Sequence, residues 1–112
     1  MDIELLRLVL LIEIKGNFYL ENKGNSKRAV FNLMSERENN IYCLKKVLDE
    51  YDIKYCLFKR KYKQNKNELT LLRISYNRNL FKFFKLVNPF IQYKPNNYDL
   101  VHNYVLEKSL KK

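Results

Sequence analysis

The sequence predicts an α+β domain in which one four-stranded antiparallel sheet is covered by helices on one face and left open, and basic, on the other. Three observations predict it. Apolar residues recur at helical spacing in some segments and at strand spacing in others. The strand-like segments come in two pairs, each closed by a short polar turn, and no linker or low-complexity tract interrupts the series. A chain of 112 residues is long enough for one modest core, so a single domain over 1–112 is expected.

Leu5, Leu8, Leu11 and Ile12 repeat as a helix does, and Ile3, Leu6, Val9, Leu10 and Ile14 make the segment apolar nearly all round, so it reads as a buried helix. Gly16-Asn17 ends it, glycine accepting the left-handed conformation at a helix exit. Phe18 to Leu20 reads as a strand, Asn22 to Ser26 as a turn, and Lys27 to Met34 as the returning strand. In the second strand Phe31 and Leu33 share one face, with Arg28, Val30 and Asn32 on the other.

Ser35 and Glu38 have capping-box spacing ahead of a second helix, whose stripe is Ile41, Leu44, Val47 and Leu48. Two β-prone runs, Ile53 to Tyr62 and Glu68 to Tyr76, flank Lys63-Gln64-Asn65-Lys66-Asn67 and form a second hairpin. The faces of the third strand stay ambiguous, because neither parity is cleanly apolar. Leu80, Phe83, Phe84 and Val87 give a third helix stopped near Asn88-Pro89, and a last helix runs from about Asn97 to Leu110 with Leu100, Tyr104 and Leu106.

The net charge of +10, from 22 basic and 12 acidic residues, favours polyanionic partners. A membrane is not among them, since the longest apolar run, Leu8 to Ile12, is far too short to span a bilayer and is bracketed by Arg7 and Glu13. Neither a secretory signal nor a transit peptide is legible at the amino terminus. Cys43 and Cys56 have no companion ligands for zinc and read as plain thiols, and His102 reads as a helix-face residue rather than a base. No cofactor is called for. The abundance of Asn, Lys, Tyr, Ile and Phe, whose codons are rich in A and T, points to an AT-rich genome and hence a mitochondrial location.

Leu8-Val9-Leu10-Leu11-Ile12-Glu13-Ile14-Lys15-Gly16 aligns without gaps to the letters LAGLIDADG, matching at Leu8, Leu11, Ile12 and Gly16 and conservatively at Glu13. Asn17-Phe18 follows as a small polar and a core apolar residue do in that family. The segment Asn88 to Leu106 resembles the family's tail in Pro89-Phe90, Lys94 and Tyr98-Asp99. The chain therefore resembles a degenerate single-motif LAGLIDADG homing-endonuclease domain, which implies an αββαββα half-domain.

The resemblance also implies that the motif's eighth letter, an acid, holds the catalytic divalent metal. Here that letter is Lys15, which while charged has no lone pair to offer a cation and repels it. Glu13 lies two positions back, about 200° around the helix, and is not placed to replace it. The third and seventh letters, small in family members that pair two motif helices, are Leu10 and Ile14 here, so the usual homodimer is doubtful. Catalytic and metal-binding residues are accordingly expected to number none.

Candidate nucleic-acid contacts are Lys54, Lys59, Arg60, Lys61, Lys63 and Lys66 of the acid-free second hairpin, where Tyr55, Phe58 and Tyr62 interleave with the cations as suits unpaired bases. The resemblance adds the exposed sheet face, with Arg28, Asn32 and Arg73, and the basic positions Lys15 and Lys94. The expected function is non-catalytic binding of RNA, as a structural component of an organellar (mitochondrial) ribosome among neighbouring proteins and ribosomal RNA. The alternatives are an intron-encoded DNA endonuclease or RNA maturase, and a protein-interaction subunit whose charge only aids solubility.

Overall fold

A computed structural model of the chain describes residues 3–35, 38–61 and 68–110, with the side chains of Glu38, Asn39, Arg60, Lys61, Glu68 and Leu110 also left aside. The elements are α1 (Ile3–Lys15), β1 (Gly16–Lys23), β2 (Ser26–Ser35), α2 (Glu38–Glu50), β3 (Cys56–Lys61), β4 (Glu68–Ser75), α3 (Asn77–Val87), a single 3-10 turn (Asn88–Phe90) and α4 (Tyr98–Leu110). The strands form one antiparallel sheet in the order β1-β2-β4-β3, so two hairpins meet through their second strands.

Register decides which face is covered. Phe18 pairs with Phe31, Phe31 with Ile74 and Leu33 with Leu72, and all of them are buried beneath the helices. α2 contributes Ile41, Leu44, Val47 and Leu48 to this core, as its periodicity predicts. Phe83 and Phe84 of α3 and Tyr98 of α4 join Phe18 and Phe31 in an aromatic cluster. Ring centroids lie 4.7 Å apart for Phe31 and Phe83 and 5.2 Å for Phe84 and Tyr98, within the range at which edge and offset contacts are favourable.

α2 ends in a Schellman arrangement. Asp52 takes the left-handed conformation at φ 56°, its N–H donates to Asp49 O, and the N–H of Ile53 donates to Leu48 O. Ile53 is thereby buried as the cap's apolar plug, which is why β3 starts at Cys56 and not at Ile53. The loop 63–67 of the second hairpin and Tyr62 lie outside the described residues, as does the Glu38 half of the capping box; Ser35 Oγ accepts from Asn40 Nδ2 at 3.3 Å.

Three expectations need correction. α1 buries Leu5, Leu8, Val9 and Ile12 only, and Ile3, Leu6, Leu10 and Ile14 form an exposed apolar stripe, with Ile14 77% accessible. Apolarity all round a helix does not say which side finds a neighbour. Gly16 does not adopt a left-handed conformation but begins β1; a Cβ there would stand 2.5 Å from Ile12 O and 3.0 Å from Phe31 Cε1, so the glycine is needed for close approach of helix and sheet. α4 buries Tyr98, Val101 and Val105 and half-buries Tyr104 and Leu106, leaving Leu100 exposed about 100° around the helix from Val101.

Candidate nucleic-acid interface

The sheet face turned away from the helices carries Tyr19 and Glu21 of β1, Arg28, Val30, Asn32 and Met34 of β2, Leu69, Leu71 and Arg73 of β4, and Cys56 and Phe58 of β3. Val30, Leu69 and Leu71 are buried even so, which gives this face an apolar floor. Across it runs one rung of contacts that spans all four strands. Asn32 Nδ2 donates to the Tyr19 hydroxyl at 3.0 Å, Arg73 Nε donates to Asn32 Oδ1 at 3.0 Å, and the Arg73 guanidinium lies 5.3 Å over the Phe58 ring. Arg28 is ion-paired with Glu21 beside the rung.

Pairing in antiparallel strands places residues opposite one another on the same face. Cys56 opposite Arg73 and Phe58 opposite Leu71 therefore settle the face of β3 that alternation alone left open. Lys59 pairs with Thr70 and takes the other face, and the backbone register continues with Arg60 opposite Leu69 and Lys61 opposite Glu68.

Of the other candidates, Lys54 is exposed just before β3 and lies 3.4 Å from Asp52. Asp52 is held below its usual range by the hydrogen bond from Lys54 and then by the charge of Lys82. The neighbouring Tyr55 hydroxyl, pushed up to about 12 by burial and by its bond to Asp49, is a neutral donor at physiological pH. Lys63 and Lys66 lie outside the described residues.

Lys15 is exposed at the last position of α1. Lys94 pairs with Asp99 at 2.9 Å and stands 5.9 Å over the Tyr98 ring. These two lysines belong to segments that the fold ties together, because Glu13 Oε2 accepts the backbone N–H groups of Gln92 at 2.7 Å and Tyr93 at 3.0 Å. The structure therefore gathers Arg28, Asn32 and Arg73 on one face, adds Lys54 at its margin, and puts Lys15 and Lys94 in a second locality. Sequence reasoning missed Tyr19 and Glu21 as partners of the named residues, and a cross-strand register was the signal it lacked.

With this architecture in place, comparison with solved structures is decisive for the fold. I-AabMI, a LAGLIDADG meganuclease bound to uncleaved DNA, superposes at a TM-score of 0.70 over 96% of this chain, with 15% identity. The chain has the LAGLIDADG fold. I-GzeII, a LAGLIDADG homing endonuclease in complex with a DNA target, gives 0.69 over 98% of this chain at 10% identity. I-CeuI, a group I intron-encoded homing endonuclease complexed with DNA, gives 0.62 over 96% at 12% identity. The chain spans only 38% of the first two proteins and 54% of the third, as a half-domain does. No protein-family model and no curated protein matches the sequence.

Proposed function

We propose that this chain is a non-catalytic RNA-binding protein derived from a LAGLIDADG homing endonuclease, a structural component of an organellar (mitochondrial) ribosome. The observation that carries the reading is Lys15 at the end of α1, where the motif has its metal-binding acid. The residues present do not fit a divalent metal at that point. Lys15 is a cation, and Glu13, the acid of the motif helix two positions earlier, is already committed to the backbone N–H groups of Gln92 and Tyr93. Among the described residues no three His, Cys, Asp or Glu side chains converge elsewhere.

RNA is preferred because the seam that would support a two-fold partner is filled. Leu10 and Ile14 stand out from α1 where close pairing needs small side chains, and without two-fold symmetry a long duplex site is hard to read. Fixed docking on folded RNA needs only one surface. The exposed stripe of Ile3, Leu6, Leu10 and Ile14 suits burial against a neighbouring protein of a ribonucleoprotein, and it also supports the alternative of an interaction subunit.

The active-endonuclease alternative draws on the DNA complexes among the structural neighbours. Incubation of purified protein with Mg²⁺ and supercoiled DNA tests it. No nicking is expected, and nicking that Glu13→Gln abolishes would overturn the non-catalytic reading. Copurification with ribosomal particles tests the assignment to a ribosome, and unchanged RNA association after charge reversal of Lys59, Arg60 and Lys61 would remove β3 from the interface and favour the interaction subunit.

A further inference from the structure

The β3 side of the open face differs in chemistry from the β1 side. At β1 and β2 Arg28 is matched by Glu21, and the Asn32 amide is bonded to the Tyr19 hydroxyl. Toward β3 the face becomes apolar and aromatic. Phe58 is 44% accessible on an edge strand, the buried Leu71 stands opposite it and Leu69 two positions along on β4, and the Arg73 guanidinium lies 5.3 Å from its ring centroid, within cation–π reach.

Arg73 also lines a small cleft of about 50 Å³ together with Lys54, Cys56, Tyr76 and Asn79. Tyr76 is 65% accessible, and its backbone is held at φ 73° and ψ 131°, a conformation that side chains other than glycine's rarely adopt. Tyr76 is the N-cap of α3, where its carbonyl accepts the N–H of Leu80 at 3.1 Å, so the turn out of β4 fixes its backbone while its ring stands exposed. The cleft is too small to admit a base, but Arg73 links two exposed rings there, lining the cleft with Tyr76 and standing 5.3 Å over the ring of Phe58.

We infer that Phe58, Arg73 and Tyr76 form a stacking site for an unpaired base of single-stranded RNA, at the β3 edge of the open face. The inference rests on the RNA-binding reading and narrows it to a ligand and a place. Three features favour an unpaired base over a duplex groove. Stacking needs a π face that a paired and stacked base does not offer. Asn32, the one amide among the candidate contacts on this face, is oriented by its bonds to Tyr19 and Arg73, which occupy one of its two N–H donors and one of its two acceptor lone pairs and leave it less able to turn toward a base edge. The phosphate charge that accompanies such a base meets a chain of net charge +10, with Lys54 at the cleft.

The test uses the full chain, fluorescein-labelled 12-nucleotide single-stranded RNA, single-stranded DNA of the same sequence, and a perfect RNA duplex, read by anisotropy at moderate salt. Phe58→Ala and Tyr76→Ala are each expected to weaken single-stranded RNA binding by about 5- to 150-fold, the range that loss of one stacking ring produces, with little effect on duplex. Phe58→Leu keeps the apolar bulk without the π face and should weaken binding nearly as much, whereas Phe58→Tyr should retain it. Because the chain has no tryptophan, Phe58→Trp supplies one reporter, whose fluorescence is expected to be quenched when unlabelled single-stranded RNA binds.

Unchanged affinity in Phe58→Ala and Tyr76→Ala, or tryptophan fluorescence left unquenched by RNA in the Phe58→Trp variant, overturns the stacking site while leaving RNA binding itself in place. Binding that favours duplex RNA or that is equal for DNA and RNA single strands overturns the assigned ligand. Failure of the unmodified chain to bind any of the three overturns the RNA-binding reading as well. Circular dichroism of each variant excludes loss of fold as the cause.

Discussion

Arg73 and Asn32, on the two central strands, are joined by a hydrogen bond of 3.0 Å from Nε to Oδ1, and the same Asn32 side chain donates to Tyr19 on the outer strand. One amide thus fixes two neighbours, and it can do so only because it carries both a donor and an acceptor. Asn32→Ala should cost about 1–2 kcal/mol, near the sum of two half-buried bonds, measured by urea denaturation. Asn32→Asp should cost less, since a carboxylate accepts from Arg73 and from the Tyr19 hydroxyl alike. Equal losses for Ala and Asp would mean that packing and not the rung holds this face.

Glu13 is positioned by the fold as a clamp. Its Oε2 collects two backbone N–H groups from the segment after the 3-10 turn, so removal leaves both without that acceptor. Glu13→Ala should lower stability by about 1–2 kcal/mol at this exposed site and should raise hydrogen exchange at Gln92 and Tyr93. Glu13→Gln keeps an acceptor oxygen and should give roughly half the loss. An Ala variant with unaltered exchange at those two amides would show that the loop is held by other means.

How far the sequence spoke for this structure depended on whether a signal was local. The first hairpin turn, the stripe of α2 and the stop at Asn88-Pro89 were legible because each is written within a few residues. Phe31 and Leu33 showed their face by alternation against Arg28 and Asn32. The face of Phe58 did not show, because β3 alternates weakly and only its pairing with Leu71 decides the matter. The exposed side of α1 was hidden for a related reason: Leu10 and Ile14 are as apolar as Leu8 and Ile12, and only tertiary packing separates them. Arg28 looked like a free cation until the hairpin register placed Glu21 opposite.

His102 supplies a pH dependence. Its imidazole stacks on Phe84 with centroids 4.6 Å apart, and burial lowers its pKa from 6.5, an effect that Asp99 opposes and Lys94 reinforces. The unfolded chain then binds the proton more readily than the folded one, so the histidine detracts nothing above pH 6.5. Stability should fall as the pH drops through 6.5 toward the lowered folded value and then level off with respect to this group. Thermal denaturation of the native chain and His102→Gln checks it. The variant should lose the step near neutrality while keeping the later decline due to carboxylates, and a step that persists belongs to another group.

Tyr76 sets binding against stability. A non-glycine residue at φ 73° and ψ 131° carries a strain of about 1–3 kcal/mol, partly offset in a glycine by the greater freedom of its unfolded chain. Tyr76→Gly should therefore raise stability by about 1 kcal/mol and shift the thermal midpoint upward by several degrees, roughly as expected for a domain of this size. The same change removes the ring proposed to stack on RNA, so affinity for single-stranded RNA should fall as far as in Tyr76→Ala. The alanine keeps the strain and should gain no stability. Divergence of the two variants in melting but not in binding would separate the backbone from the ring, and a glycine variant no more stable than the native chain would mean that Tyr76 is held by contacts worth as much as its strain.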